Sequence, residues 1–371
     1  MTAENGFEIL LVTFPGLEEA LKAEVKSLGF RPTGTIPGGV LLTGGWTDVW
    51  RANLRLRGVS KVLVRIGSFR AFHLAQLDKR ARKMPWADFL RPDHPVRVEV
   101  TCKGSRIYHA GAAAERISRA IAEELKAPVS DDAVVCVKVR IHNDVCTFSL
   151  DSSGDGLHRR GHKEAVNRAP MRETMAALFL RQCGYTGDEP VLDPMCGSGT
   201  FPIEAAEIAC GLFPGRSRRF AFEDLATFDP AAWQALQALE KPRQPSFVFR
   251  GSDRDPGAVR MSQENAERAG LAACTAFSQQ TVSELQRPDG PPGLVILNPP
   301  YGTRIGDRKK LTGLYRSIGQ TMTERFSGWR VGIITTDAVL ARATGLPFNH
   351  TGAPVLHGGL RVSLYLTGRL G

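Results

Sequence analysis

The segment LVILNPPYGTRIG (294–306) ends an apolar run on a turn whose residues suit transfer to a nitrogen. Pro299 and Pro300 fix an extended, rigid backbone just after Asn298. Neither proline offers an N–H, so the turn presents carbonyls rather than donors. The Asn298 side-chain oxygen and the Pro299 carbonyl can both accept from one –NH₂ group. Tyr301 can stack on the planar base that carries that group. The lone pair of such an exocyclic amine is delocalised into its ring. Two acceptors holding its protons draw the nitrogen toward tetrahedral geometry and free the pair for attack on a sulfonium methyl. Positioning and electrostatics do most of that work. Asn298, Pro299, Pro300 and Tyr301 are the candidate catalytic residues, and the scheme requires neither a metal nor a strongly shifted base. The competing reading is a structural turn after a strand.

A second turn, VLDPMCGSGT (191–200), puts an Asp at a strand end, then Gly197 and Gly199, then a helix. Glycines there let the backbone turn tightly and approach a ligand. Open parallel sheets bind ligands at the carboxyl ends of their strands. A phosphate loop needs a Lys that is absent here, and a dinucleotide fingerprint needs glycine where Pro202 stands. The nucleotide that remains is S-adenosyl-L-methionine, which can use the turn without a pyrophosphate. A tight βα turn with no ligand is the alternative. Asp253, directly off the next strand in VFRGSDRDP, can accept from ribose hydroxyls. Asp255 reads instead as the cap of a helix starting near Pro256.

These turns need a frame. From Pro170 onward, helical and strand patterns alternate: helix 171–182, strand 191–193, helix 201–210, strand VFRGSD, helix 257–269, a short strand near 274–277, strand 294–298, helix 311–325, then GIITT and VSLYLTG. Continuous apolar strands between helices predict a doubly wound, mostly parallel α/β sheet. The first 70 residues run β-α-β-α-β, which predicts a small α+β sandwich. A second unit follows, with strand VRVEVTCKG, a helix in SRIYHAGAAAERISRAIAEELKA, and two strands around the hairpin turn His142-Asn143-Asp144. Residues 151–169 are rich in Gly and charge and read as a linker.

Composition narrows the class. With 371 residues, 42% hydrophobic and 23% charged, the chain has the balance of a folded protein of two or three domains. No run approaches ~18 apolar residues, so no membrane span is expected. The opening MTAENGFEILL has no basic n-region, which predicts no secretory leader and a cytoplasmic location. Seven cysteines without a CxxC pair fit a reducing compartment rather than a disulfide frame or a zinc site. The eight histidines show no ligand spacing. In LHRRGHK (157–163), a metal pair at His158 and His162 is weighed against a basic RNA-facing linker, and the linker is preferred. The net charge is +10, and residues 51–91 hold eleven Lys and Arg against Asp78 and Asp88. Such a stripe suits a phosphate-binding surface or a solvated face. Arg308, Lys309 and Lys310 read equally as phosphate contacts or a solvated loop. The five tryptophans read as core.

DPMCGSGT, GSDRD and NPPYG together resemble the class I S-adenosylmethionine-dependent amino-methyltransferases. The whole chain is similar to the THUMP-containing RlmL/TrmN-like RNA guanine-N2 methyltransferases. SLDSSGDGLHRRGHKEAVNRAPMRETMAALFL and SRIYHAGAAAERI carry that resemblance. It implies a ferredoxin-like segment over 1–66, a THUMP RNA-binding domain over 67–152, a linker over 153–169 and a Rossmann-like methyltransferase domain over 170–371. It implies Asn298 to Tyr301 as the catalytic motif. It also implies cofactor binding at Asp193, Cys196, Gly197, Ser198, Gly199, Thr200 and Asp253, with Asn298 beside them. It implies methylation of a guanine N2 in rRNA or tRNA that docks on the basic N-terminal half. Adenine-N6 methylation of DNA or RNA, and methylation of a protein glutamine amide, use the same turn. A module that binds RNA without catalysis is the non-enzymatic alternative. Relatives often carry an acid after the third strand to contact the adenine, and here Gln279, Gln280 and Thr281 stand in that stretch. The length matches one half of the two-enzyme fusions among those relatives.

Overall fold

A computed structural model describes residues 6–164, 171–301 and 308–371. Linker positions 165–169, positions 302–306 of the NPPY segment and the Arg308 side chain lie outside this description. The chain forms two units. The first takes in the chain up to Thr13, Val25–Leu157 and Arg218–Leu239; the second takes in Phe14–Glu24, His158–Ser217 and Glu240–Gly371.

The first unit is built on a seven-stranded sheet. Its strands are β1 (Phe7–Val12), β2 (Pro32–Ile36), β3 (Gly39–Gly44), β4 (Lys61–Arg70), β5 (Val96–Lys103), β6 (Val135–His142) and β7 (Val145–Asp151), in the order β2-β3-β1-β4-β7-β6-β5. Only β5 and β6 run parallel. Alternation sets the buried face: Val62, Val64 and Ile66 point inward from β4 while Lys61 and Arg65 do not. Asn143 and Asp144 take positive φ values of 51° and 62°, which match the right-handed twist of a β6–β7 hairpin. The β2 strand, PTGTI, carries a Pro and a Gly and has no counterpart in the β-α-β-α-β pattern expected for this region. It survives as an edge strand with an irregular register between Pro32 and Gly34, where a missing N–H is tolerated.

Helix α1 (Glu18–Ser27) is divided, its Glu18–Glu24 part grouping with the second unit, while α2 (Trp46–Arg55), α3 (Leu74–Ala81) and α4 (Ala110–Leu125) belong to the first. The α4 helix starts at Ala110, later than its pattern suggests. Asp144 accepts from the Arg106 N–H at 2.8 Å, and its own N–H donates to Ser105 Oγ at 3.1 Å, which holds this stretch in a loop. His109 Nδ1 then caps the helix by accepting from the Ala112 N–H at 3.0 Å.

Much of the basic stripe is engaged in ion pairs, which divides it into paired and unpaired cations. Lys61 pairs with Asp151 at 2.7 Å, Arg65 with Glu8 at 3.0 Å and Arg91 with Asp93 at 2.8 Å. Arg51 pairs with Asp48 at 3.4 Å and also lies over the Phe30 ring. Arg82 bridges Asp78, Glu123 and Glu124 at 3.1, 2.6 and 3.2 Å, tying α3 to α4. Arg70, Lys79, Arg80 and Lys83 remain exposed, with no acidic partner among the described residues.

The second unit carries an eight-stranded sheet. Its elements are α5 (Glu173–Gln182), β8 (Val191–Asp193), α6 (Thr200–Ala209), β9 (Phe249–Asp253), α8 (Pro256–Arg268), β10 (Thr275–Gln279), β11 (Leu294–Leu297), α9 (Arg308–Arg325), β12 (Arg330–Thr335), α10 (Ala338–Ala343), β13 (Phe348–Thr351), β14 (Val355–His357) and β15 (Leu360–Thr367). The helix α7 (Pro230–Gln237) falls in the Arg218–Leu239 segment that groups with the first unit. There Trp233 packs edge-on against Phe220 and Phe222.

The strand order is β10-β9-β8-β11-β12-β15-β13, with β14 pairing on β15. Strands β10 through β12 are parallel, and β15 enters antiparallel. The order reverses between β8 and β11, and such a switch point opens a crevice at the strands' carboxyl ends. Leu297, Tyr315, Ile318, Met322, Phe326 and Ile333 are fully buried and form the core between β11, β12 and α9. No described helix is long and apolar enough to cross a membrane.

The segment expected to be an RNA-facing basic linker is divided where it is described: Leu157, Arg160 and His162 are buried, while Arg159, Gly161 and Glu164 are exposed. Arg160 is only 2% exposed and pairs with buried Glu204 at 3.2 Å. His162 is 4% exposed, and its carbonyl accepts from Arg268 Nε at 2.8 Å. A buried guanidinium needs a buried acid, and Glu204 on α6 supplies it.

Candidate active site

Two strand ends meet at the switch point. β8 delivers Asp193, which is 2% exposed and accepts from the Met195 N–H at 3.0 Å. Burial, and then the nearby Asp253 charge, push its carboxyl up to about 8. The glycine loop follows. Gly197 and Gly199 have φ values of 55° and 81°, left-handed values that a side chain rarely adopts. At Gly199 an added Cβ would also lie 3.1 Å from Ser262 and Ile203.

The loop is held from below by α8. Ser262 Oγ donates to the Gly197 carbonyl at 3.0 Å, and Asn265 Nδ2 donates to the Ser198 carbonyl at 3.1 Å. The Cys196 carbonyl accepts from the Gly199 N–H at 2.8 Å. Burial pushes the Cys196 thiol well up, so it stays a neutral packing group. Thr200 Oγ1 accepts from Lys163 Nζ at 2.8 Å.

β9 delivers Asp253. Its Oδ2 accepts from the Gly197 N–H at 3.1 Å and its Oδ1 from the Asp255 N–H at 3.0 Å. Each oxygen keeps a further lone pair for a hydroxyl donor. Asp255 caps α8, accepting from the Gly257 N–H at 2.9 Å.

β11 delivers the NPPY turn. The Asn298 side-chain oxygen is buried and has no hydrogen-bond partner among the described residues. An unsatisfied buried acceptor costs about 1–3 kcal/mol, so this atom is poised for a donor supplied by a ligand. Pro299 is buried and Pro300 exposed. Burial raises the Tyr301 phenol above its ordinary value, opposed by the adjacent Asn298 amide, so Tyr301 stays neutral. Behind it, Tyr315 donates to Thr335 Oγ1 at 2.9 Å and is locked in the core.

A cavity of about 810 Å³ joins these ends. That is the size of a small-molecule or cofactor site. Asp253 and all of Asn298, Pro299, Pro300 and Tyr301 line it. Asp193 and Cys196–Thr200 do not line it; they form the turn that carries Pro194 and Met195 to its wall. Gln280 and Thr281 line it and Gln279 does not; the Gln279 amide donates to the Arg254 carbonyl at 3.2 Å.

Several lining residues escape sequence reasoning. Val282 and Ser283 continue the wall after β10. Glu284 is the acid of that stretch, and it fastens the turn by accepting from Thr281 Oγ1 at 2.6 Å. That hydrogen bond and the Thr281 N–H hold its carboxyl below the usual range. Leu314 and Ser317, three apart on α9, face the cavity. His357, Gly358 and Leu360 close it from the β14–β15 hairpin. The i, i+3 spacing on α9 was the one signal in the sequence that could have found any of these. Lys309 and Lys310 are exposed on the first turn of α9 and are not among the lining residues.

The residues fit S-adenosyl-L-methionine. A carboxylate off the second strand, an orphaned amide oxygen off the fourth and a glycine turn between them offer acceptors and close backbone approach without a cationic phosphate cradle.

Comparison with known proteins places this site in a family. Residues 160–353 match the model of the RMKL-like methyltransferase domain, residues 8–63 the RlmL ferredoxin-like domain, and residues 72–151 the THUMP domain. A candidate RNA methyltransferase of Synechocystis is 29% identical over 94% of this chain and 93% of its own length. The ribosomal RNA large subunit methyltransferase K/L of Allochromatium vinosum is 33% identical over 89% of this chain, which spans only 47% of that longer protein. The crystal structure of SMU.472, a candidate methyltransferase complexed with SAH, superimposes with a TM-score of 0.87 at 25% identity, covering 99% of each chain. The methyltransferase model covers more than half of the sequence and all of the cavity up to its last strands, so the chain belongs to the RMKL-like methyltransferase family, with ferredoxin-like and THUMP domains preceding a class I methyltransferase domain.

Proposed function

We propose that this protein methylates the exocyclic N2 of a guanine in RNA, with S-adenosyl-L-methionine as methyl donor and ribosomal RNA as the first candidate substrate. When bound, S-adenosyl-L-methionine supplies an electrophilic methyl group on a sulfonium. The SAH held by SMU.472 supports that donor, and the name of the Allochromatium relative supports ribosomal RNA. The THUMP match supports RNA over a protein amide.

The observation that carries the reading is the buried, unpartnered Asn298 oxygen on the wall of the cavity. It accepts one proton of the target amine while the Pro299 carbonyl accepts the other. Tyr301, neutral and half-buried, offers its ring as the stacking face for a base drawn out of its stack. Asp253 holds ribose hydroxyls with the lone pairs that Gly197 and Asp255 leave open. Within the 51–91 stripe, Arg70, Lys79, Arg80 and Lys83 are exposed cations available to phosphates.

The test is mass spectrometry of nucleosides from ribosomal and transfer RNA of a strain lacking this chain. Loss of N2-methylguanosine is the expected result. Loss of N6-methyladenosine instead transfers the same mechanism to adenine and overturns the guanine assignment.

A further inference from the structure

A second cavity, of about 750 Å³, lies within the same unit. It shares His357 and Gly358 with the cavity that Asn298 and Tyr301 line. The shared wall is the tip of the β14–β15 hairpin. Gly358 and Gly359 take φ values of 55° and 85° there, and a Cβ on either would meet nothing within 4 Å. The tip is therefore a low rim of bare backbone between two cavities.

The second cavity is basic. Lys163 is already committed: its Nζ lies 3.0 Å from Glu173 Oε1, 2.8 Å from Thr200 Oγ1 and 3.0 Å from the Met171 carbonyl. That pairing cancels Glu173. Arg159 and Arg172 then face Glu164 as the remaining charged groups of the lining. Arg172 stands at the N-cap of α5, and its exposed guanidinium makes no hydrogen bond or ion pair among the described residues. Both imidazoles of the lining feel the positive field. His158 is pushed down to about 4 by burial and then by Arg172, Arg159, Arg160 and Lys163. His357 is lowered by burial and by Arg172. Both rings are therefore neutral near pH 7, and each offers one N–H.

A target base leaves its stack by turning about its own backbone, so its phosphates must come to rest beside the pocket that takes the base. A basic cavity that shares a wall with the base pocket meets that requirement. We propose that the second cavity is a phosphodiester subsite for the RNA strand, with Arg172 as its cation and His158 and His357 as its N–H donors. This inference rests on the RNA reading above. Phosphate contacts fix register rather than sequence, so Arg172 is a positioning residue.

The test follows the imidazole resonances of His158 and His357 in the full-length protein during titration with inorganic phosphate and, separately, with a single-stranded RNA hexamer. Saturable shifts at both histidines are expected, tighter for the hexamer, lost in Arg172→Gln and retained in Arg172→Lys. With methylation as readout, Arg172→Gln should raise KM for RNA about ten-fold, the loss expected for one charge-assisted hydrogen bond, and leave kcat near its original value. Absent shifts, or equal shifts in wild type and Arg172→Gln, overturn the subsite. Equal affinity per phosphate for the two probes overturns the nucleic-acid assignment. The titrations require no methyl transfer, so a failed guanine assignment is read separately from a failed subsite.

Discussion

The Gly197 N–H donates to Asp253 Oδ2 at 3.1 Å, joining the glycine loop after β8 to the end of β9, 56 residues further along the chain. One carboxylate thus pins the glycine loop and faces the cavity. Asp253→Ala should weaken S-adenosyl-L-methionine binding about 10–150-fold, the range for a lost hydrogen bond to a charged group of roughly 1.5–3 kcal/mol. Calorimetric titration measures it. Because the pin is lost too, kcat at saturating donor should fall as well. An unchanged dissociation constant places the ribose contact elsewhere in the cavity.

Asn298→Ala separates chemistry from binding. The side chain's oxygen is buried and unpartnered, so its removal breaks no internal hydrogen bond at that atom. Turnover should fall by ~10²–10³, as for loss of a preorganised polar group that acts in the transition state. Donor affinity should stay within a few-fold of wild type. A methyl-transfer assay paired with calorimetry decides. Activity within a few-fold of wild type removes Asn298 from the mechanism.

The strand ends were legible because local sequence dictates them. Apolar LVIL must be buried, prolines must end it, and Asp-Pro before Gly197 and Gly199 must turn. The doubly wound frame follows from the same alternation of patterns. The cavity's other walls were not legible. His357 and Gly358 reach it through the antiparallel β15, which enters the sheet next to β12 rather than in chain order. Which cations of the basic stripe are paired was not legible for a related reason. Besides the local partners Asp48, Asp78 and Asp93, opposing charges come from Glu8, Glu123, Glu124 and Asp151, which only the folded sheet and the α3–α4 contact bring near. Arg160 and His162 sit in a Gly-rich, charged segment that looks solvated, yet a buried acid on α6 draws the arginine in.

Arg80 and Arg82 should therefore behave differently despite lying two residues apart. Arg80 is exposed and carries no acidic partner among the described residues. Arg80→Gln should weaken all RNAs about equally and flatten the slope of log affinity against log salt by about one unit. Arg82 is held among three carboxylates, which raise its pKa further. Arg82→Gln should leave that slope unchanged and lower thermal stability only slightly, as surface ion pairs are worth little. Filter binding across a salt series, with melting curves for both variants, makes the comparison. Equal salt slopes in the two variants contradict the division of the stripe into paired and free cations.

Asp193 gives the fold a pH signature. Its carboxyl is pushed from 3.8 up to about 8 by burial, with one backbone donor and the Asp253 charge as smaller influences. The folded protein then holds this proton more tightly than the unfolded chain, whose aspartate titrates at about 3.9. Stability from this group is full below the unfolded value and is lost as pH rises toward about 8. Asp193→Asn keeps an acceptor for the Met195 N–H and cannot ionise. Its stability relative to wild type should grow with pH between the two values, at up to about 1.4 kcal/mol per unit. Chemical denaturation of both proteins at a series of pH values from 5 to about 8 measures the difference. Parallel stability curves mean that Asp193 is ionised in the folded protein at neutral pH, and the buried carboxyl then requires a cationic or donor partner beyond Met195.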